Sequence, residues 1–346
     1  MSGADERFSA RWPDFRDYIV DITAEIWDER KILTLHDYYA KDVVVRRPSG
    51  VTVGVENVIR ETYEAISQTP DRGPGAEDVI WSRTDDGHFH SSHRCCDRSV
   101  HGVDDVFGPA TGKRLRYWLV ADCAARGEMI DDEWLVSDTG GLVRQIGWEP
   151  ESFARHLIEI EGGPDRCAKP LTAATDVEGP YKGTGNDDEW GVRYEGLLNR
   201  IMAGDLHAIL EGYDDQVDLR FAGGREGSGT ADANSFWAGL RASFPRARFT
   251  IHHRVGRHDP LLSPRAAIRW TLEGKHEGWG HFGRPTGAEV YVMGISHAEF
   301  GPWGLRREWT IYDEVQIWKQ ILLAALTDGA GSGDPPKLAP DPAPQP

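Results

Sequence analysis

The chain has 346 residues, enough for two domains of about 150 to 170 residues that each bury a core of their own. Its formal net charge of -17 disfavours nucleic acid and anionic membrane surfaces as partners, because both would meet a field of like sign. Four cysteines without CxxC spacing, an N-terminus without an apolar signal region and no membrane-length apolar run predict a cytoplasmic protein with a small, uncharged ligand.

The first predicted elements in chain order are helical. Over residues 15–40 the apolar residues recur at helical spacing, with a break at residues 28–30, which predicts two helices. A short strand at residues 43–46 and a helix at residues 56–67 follow. Long strand-like runs interrupted by a GPATG turn complete this half. Helices followed by a strand meander are typical of an α+β fold.

The second half repeats this order at an offset of 175 residues. The clearest match joins residues 132–146 to residues 307–321. Identical pairs at this offset include Arg94/Arg269, His101/His276, Glu133/Glu308, Trp134/Trp309, Asp138/Asp313 and Gln145/Gln320. We expect the offset to hold without a gap over residues 35–146. A period this long matches a whole domain, so the sequence predicts a tandem duplication.

The composition changes along the chain predict the domain boundaries. Residues 162–188 are rich in Gly, Pro, Thr and Asp and lack periodicity, as a linker does. Residues 327–346 are too poor in apolar residues to fold and are expected to be disordered. The predicted division is an N-terminal extension (1–15), a divergent first domain (16–161), the linker (162–188), a second domain (189–326) and the tail (327–346).

Phrases of the second half resemble a known family. In order and spacing, IRWTLEGKHEG, GRPTGAEVYVMGI and EWTIYDEVQIWKQI are similar to the SnoaL-like polyketide cyclases and ester cyclases of the nuclear-transport-factor-2-like superfamily. The resemblance covers residues 194–323 and, more faintly through the repeat, residues 16–147. It implies two tandem cone-shaped domains, each a curved, mostly antiparallel sheet covered by N-terminal helices. It also implies cofactor-independent chemistry, in which an Asp acts as acid and base on a keto substrate.

Asp313 is the leading candidate for that Asp. Alternation along the strand EWTIYD places Trp309, Ile311 and Asp313 on one face, where burial would raise the pKa of the carboxyl group. The alternative from the pattern alone is a strand-end Asp that caps a turn. The resemblance favours the acid/base role, with Asp138 at the matching place in the first half.

His297 is expected to face an apolar interior beside this strand. It shares its strand face with Tyr291, Met293 and Ile295. There it could hydrogen-bond a developing enolate oxygen, and the resemblance places a His at about this point. The equivalent residue in the first half is Asp122, which would form a carboxylate pair with Asp138. We therefore expect the second half to be the catalytic one.

Other residues are expected to shape the pocket or support it. The aromatic candidates are Trp134, Trp270, Tyr291 and Trp309, and the paired candidates are Arg94/Arg269 and His101/His276. Glu133 and Glu308 lie on the strand face opposite the aspartates and are interpreted as structural.

The segment HFHSSH is a competing metal-binding pattern. His88 and His90 would share a strand face, but His93 has the wrong parity and no carboxylate has a defined spacing. No metal site is therefore predicted.

The sequence favours a cofactor-independent enzyme that acts on a hydrophobic, polyketide-like carbonyl compound. Asp313 would remove a proton alpha to the carbonyl and His297 would stabilise the enolate, for aldol-type cyclisation or a related isomerase or lyase step. The alternative is a non-catalytic small-molecule-binding or assembly module, built as a fused pseudo-dimer. Homo-oligomerisation of the whole chain stays open. An open cone would favour catalysis, and a filled cone would favour the module.

Overall fold

The computed structural model describes residues 8–84 and 86–329. In the first half, the helices are α1 (Phe15–Trp27), α2 (Leu35–Tyr38), α3 (Val55–Gln68), α4 (Thr139–Ile146) and α5 (Pro150–Ile160). Its strands are β1 (Tyr39–Arg47), β2 (Gly50–Val53), β3 (Gly73–Arg83), β4 (His88–Val100), β5 (Arg114–Arg126) and β6 (Met129–Ser137).

The second half repeats this series. Its helices are α6 (Glu189–Met202), α7 (His207–Gly212), α8 (Gly229–Ser243) and α9 (Glu314–Gly329). Its strands are β7 (Tyr213–Phe221), β8 (Arg225–Ser228), β9 (Arg248–Arg257), β10 (Arg265–Lys275), β11 (Glu289–Gly301) and β12 (Gly304–Tyr312). In the described ranges no helix is long and apolar enough to cross a membrane.

Two separate sheets have the same strand order. It is β2-β1-β6-β5-β4-β3 in the first half and β8-β7-β12-β11-β10-β9 in the second. The long strands form an antiparallel meander, and the first strand of each half joins the last in parallel. This arrangement confirms the predicted α+β class and the tandem duplication.

Each half begins with a capped amphipathic helix. The carboxylates of Asp14 and Asp188 accept a backbone hydrogen bond at the start of α1 and α6, at 2.7 and 3.0 Å. The apolar faces of these helices pack against the inner face of their own sheet. In α1 that face consists of Phe15, Tyr18, Ile19, Ile22 and Ile26. The helices therefore cover the inner face of each sheet, as predicted.

The prediction that the offset of 175 residues holds without a gap is wrong at one strand. Between β1 and β7 the offset is 174, since Val45 lies beside Glu133 and Leu219 lies beside Glu308. The turn after β7, residues 222–224, is one residue longer than the turn after β1, and this restores the offset of 175.

The outer faces of the two sheets pack against each other. One buried cluster combines residues of both halves, including Trp118, Val120, Trp134, Ile295, Trp309 and Ile311. The helix α5 also packs on α9 through Phe153, Ile158, Val315 and Leu322. The two halves are therefore arranged like the subunits of a dimer within one chain.

The segment 162–188 is fixed along this interface. Leu171 and Tyr181 are buried, and the backbone of Thr184 accepts a hydrogen bond from Arg254. Its longest exposed run is residues 173–178. The predicted domain boundaries stay predictions, and most of the predicted tail lies outside the described residues.

Candidate functional site

The two candidate aspartates begin helices. Oδ1 of Asp313 accepts hydrogen bonds from the backbone N–H groups of Val315 and Gln316, at 2.9 and 3.2 Å. Asp138 accepts one from Gly141 at 3.0 Å. Both are thus helix caps, which is the alternative that the strand-end pattern left open. Burial raises the pKa of Asp313 to about 7 and that of Asp138 to about 6, in the expected direction.

Both aspartates also bond across the interface. The hydroxyl of Thr139 donates to Oδ2 of Asp313 at 2.7 Å. The backbone N–H groups of Gly223 and Gly224 donate to Asp138 at 2.6 and 2.8 Å. These glycines have φ values of 83° and 68°, which larger residues rarely adopt. Asp138 and Asp313 therefore hold the two halves together.

His297 lies at the same interface. Its Nε2 is 2.8 Å from the hydroxyl of Ser92, and its Nδ1 is 3.2 Å from the guanidinium of Arg94. Burial, reinforced by Arg94, lowers the pKa of His297 well below its usual value, so the ring is neutral. The expectation that His297 faces the interior of a cone is wrong, because its strand face packs against the other half.

The paired arginines stack on the paired tryptophans of the opposite half. Arg94 lies 3.5 Å from the ring centroid of Trp309, and Arg269 lies 3.6 Å from that of Trp134. Nε of Arg269 also donates to Asp122 at 3.1 Å, just as Arg94 contacts the histidine at the equivalent position. The interface thus has two equivalent ends related by a pseudo-twofold axis. One end contains Arg94 and Trp309, and the other contains Arg269 and Trp134.

Three further candidates stabilise the fold. Nδ1 of His101 lies 3.0 Å from the hydroxyl of Thr111, and Nδ1 of His276 lies 3.1 Å from that of Thr286. These contacts fix the two glycine-containing turns. Trp270 is fully buried in the core of the second half.

The repeated glutamines join a helix to the sheet in both halves. Gln320 bonds the backbone N–H and carbonyl of Tyr291 at 2.7 and 3.0 Å. Gln145 does the same with Arg116, at 2.8 Å for both bonds. The candidate Tyr291 is therefore placed by its backbone, and its side chain packs beside the interface cluster.

The histidines of HFHSSH divide between two faces of β4. His88 and His90 point to the outer face, whereas His93 lines the inner face, as the parity predicted. The ring nitrogens of His88 lie 2.8 and 3.1 Å from Asp86 and Asp131. These three histidines therefore do not converge on one point.

The first half contains a cavity between its helices and the inner face of its sheet. The cavity has about 100 Å³ that the centre of a water-sized molecule can occupy, within about 800 Å³ of non-atom space that includes open solvent. Its apolar lining includes Ile19, Ile22, Ile26, Val58, Leu119 and Ile130. Its polar lining includes Tyr39, Arg47, Thr62, Arg72, His93 and Glu133.

Glu133 is the carboxyl group of this cavity. The hydroxyl of Tyr39 donates to its Oε2 at 2.9 Å. Burial raises the pKa of Glu133, and this effect is opposed by Arg47 and by the Tyr39 hydrogen bond. The interpretation of Glu133 as structural assumed that the strand face of Asp138 is the inner face of the sheet. In the structure the inner face is the one that contains Glu133. A Tyr at the start of the first strand bonds this Glu in both halves, but the one-residue slip hid the pair from the sequence comparison.

The corresponding interior of the second half is filled with side chains. Glu308 accepts hydrogen bonds from Tyr194 and Tyr213 at 2.8 and 3.0 Å, and burial raises its pKa to about 7. Trp270 and Trp237 are fully buried there.

The residues at the equivalent register explain why only one of these interiors is open. The places of Trp237 and Trp270 are taken in the first half by Thr62 and Cys95, which line the cavity. Smaller side chains at these two positions leave the space that the two indole rings occupy in the second half.

We expect the stability difference between the wild-type protein and Glu308→Gln to depend on pH. The raised pKa means that the folded protein holds this proton more tightly than the unfolded chain does. The contribution of the protonated Glu308 to the free energy of unfolding is therefore full below pH 4.5. It is lost as the pH rises to about 7. Over that range the difference should shift by on the order of 3 kcal/mol in favour of the variant, as measured by urea unfolding. A pH-independent difference would show that Glu308 ionises normally.

Parts of the chain are similar to known proteins. The sequence model of the SnoaL-like domain family matches residues 194–307. The chain is similar to IdmH from Streptomyces antibioticus, with 20% identity over 38% of this chain and 97% of that one, and a TM-score of 0.35. It is also similar to a SnoaL-like polyketide cyclase from Agrobacterium tumefaciens, with 20% identity, coverage of 38% and 97%, and a TM-score of 0.31. No curated protein matches the chain.

The family match falls on the second of two equivalent units. It runs from α6 to β12, and the first half repeats the strand order of that region. The second unit of the tandem duplication therefore contains the residues that match the SnoaL-like domain family.

Proposed function

We propose that the cone of the first half binds a hydrophobic small molecule with a carbonyl group, and that Glu133 transfers protons on it. The observation that carries this proposal is a carboxyl group buried in an apolar cavity, with a raised pKa and a phenol as its hydrogen-bond partner. A raised pKa makes the carboxylate a stronger base than that of an ordinary glutamate.

The chemistry needs no external reactant. The Glu133 carboxylate takes a proton alpha to the carbonyl, and the electron pair of the broken C–H bond moves to the carbonyl oxygen as an enolate. Arg72, which lines the same cavity, supplies positive charge for that oxygen. In an aldol closure the enolate carbon then bonds to a second carbonyl carbon, and the resulting alkoxide takes the proton back. In an isomerisation the proton returns to another carbon.

A neutral histidine completes the polar lining. Burial, with the nearby Arg94, lowers the pKa of His93 to about 4, so its ring is uncharged at neutral pH. A neutral imidazole can donate one hydrogen bond to a substrate oxygen without adding charge to the cavity. The second half then supports the first, which reverses the division of roles expected from the sequence.

We expect Glu133→Gln to lower proton exchange at the alpha carbon of bound ketones at least ~10²-fold, because the amide keeps the shape and removes the base. The measurement is deuterium exchange by NMR, with a panel of aryl methyl ketones in D₂O. Glu308→Gln is the matched control, since it makes the same change in the filled interior and should leave exchange unchanged. Full exchange in Glu133→Gln would remove Glu133 from the mechanism. Ketone binding without exchange in the wild-type protein would favour the non-catalytic binding module.

We expect Thr62→Trp to block the cavity, because the second half accommodates Trp237 at the equivalent position. Ketone affinity should fall at least about tenfold, the ratio that corresponds to 1.4 kcal/mol, with little change in the midpoint of thermal unfolding. Calorimetric titration measures the affinity. Undiminished binding to a folded variant would place the ligand site elsewhere.

The catalytic roles of Asp313, His297, Asp138 and Asp122 stay predictions, and one variant separates them from the present proposal. Asn is as good a helix cap as Asp, so Asp313→Asn should keep both the fold and ketone exchange. Asp313→Ala should lower the free energy of unfolding by about 1–2 kcal/mol through loss of the cap. Loss of exchange in Asp313→Asn, at unchanged thermal stability, would restore Asp313 as the acid/base group.

A further inference from the structure

A cluster of two histidines and one aspartate is buried between the halves. The ligand atoms of His90, Asp122 and His253 all lie within 4.8 Å of one another. The rings of His90 and His253 stack with their centroids 3.6 Å apart. The first two residues come from β4 and β5 and the third from β9, so the cluster exists only where the halves meet. It lies outside the cavity of the first half, and its function is independent of the one proposed there.

The cluster contains polar atoms that no described residue satisfies. Both ring nitrogens of His90 and Oδ1 of Asp122 have no hydrogen-bond partner in the described ranges. These two side chains are 0% and 1–2% exposed. A buried polar atom without a partner destabilises the fold, and a bound ligand would remove that cost.

The two imidazole rings are in the state that binds metal, whereas burial raises the pKa of Asp122 against the opposing charge of Arg269. Burial, followed by the charge of Arg269, lowers the pKa of His90 well below its usual value, and burial also lowers that of His253. Both rings are therefore neutral at pH 7, as metal binding requires. Arg269 bonds Oδ2 of Asp122, which orients the carboxylate and leaves Oδ1 available.

The opposite end of the pseudo-twofold interface contains a cation at the equivalent place. In the 175-residue register Arg265 corresponds to His90, and Asp78 corresponds to His253. Arg265 and Asp78 form a buried ion pair. Where the second half contributes a guanidinium, the first half contributes an imidazole with two free nitrogens. The position that is filled by a fixed positive charge at one end is thus open to a metal cation at the other.

A surface groove lies next to residues that contact the cluster. The hydroxyl of Tyr181 lies 2.8 Å from Nε2 of His253, and the Tyr181 ring stacks near His90. Tyr181, Arg269 and Trp134 also line an open groove at the surface of the interface. The groove and the cluster thus share two neighbours, since Tyr181 contacts His253 and Arg269 contacts Asp122.

We propose that His90, Asp122 and His253 bind one divalent transition-metal ion, with Zn²⁺ as the best match to two imidazoles and one carboxylate. Three protein ligands and an open position suit four-coordinate zinc. Zinc bonded at 2.0–2.1 Å brings tetrahedral ligand atoms to about 3.4 Å from one another.

The test uses the full chain after treatment with EDTA and dialysis. Calorimetric titration with ZnCl₂ should show one equivalent bound, and the midpoint of thermal unfolding should rise with free Zn²⁺ concentration. His253→Gln and Asp122→Asn should each weaken Zn²⁺ binding at least about tenfold. His88→Gln and His297→Gln are matched controls, because each changes a buried interface histidine outside the cluster, and both should bind Zn²⁺ like the wild-type protein.

Two further measurements distinguish a loss of Zn²⁺ binding from a loss of folding. Thermal unfolding in EDTA shows whether each variant folds, and Co²⁺ added to the wild-type protein should give the strong visible absorption of a four-coordinate site. Absence of stoichiometric Zn²⁺ binding by the wild-type protein would overturn the proposal. Zn²⁺ binding that survives both His253→Gln and Asp122→Asn would do the same, as would its loss in His88→Gln.

Discussion

The packing of two sheets through their outer faces is the constraint on which the rest of the structure depends. A sheet buried on both faces must satisfy every polar group on both, because water reaches neither. This explains why Arg94 stacks on Trp309 and Arg269 on Trp134, and why each arginine meets a polar residue of the opposite half. Three of the identical pairs, Arg94/Arg269, Trp134/Trp309 and Asp138/Asp313, are residues that the interface requires twice.

The burial of both faces of each sheet also explains which features could be predicted from the sequence. Helical spacing, strand alternation and the repeat were sufficient for the α+β class and the duplication. Alternation also correctly grouped Trp309 with Ile311 and put Glu308 on the opposite face. It could not tell which group faces the cone, because both faces are buried and each mixes apolar with polar residues. The capping role of Asp313 was visible as an alternative, whereas the Tyr39–Glu133 pair was hidden by the shift of one residue in β1.

Fusion into one chain has allowed the halves to diverge. In a symmetric dimer each substitution appears at both ends of the interface and in both cones. Here one interior is filled by Trp237 and Trp270 while the other stays open around Thr62 and Cys95. One end of the interface likewise has an ion pair and the other a histidine cluster. A stable, filled domain can thus support a neighbour whose open cavity costs it packing energy.

The linker changes the thermodynamics of this pairing. Two separate subunits with this interface would dissociate on dilution, at a concentration set by their affinity. Residues 162–188 make the encounter intramolecular, and Leu171 and Tyr181 add buried contacts along its path. The fraction of paired halves is therefore the same at nanomolar and millimolar protein, so a site built from both halves stays assembled even when few copies of the chain are present in a cell.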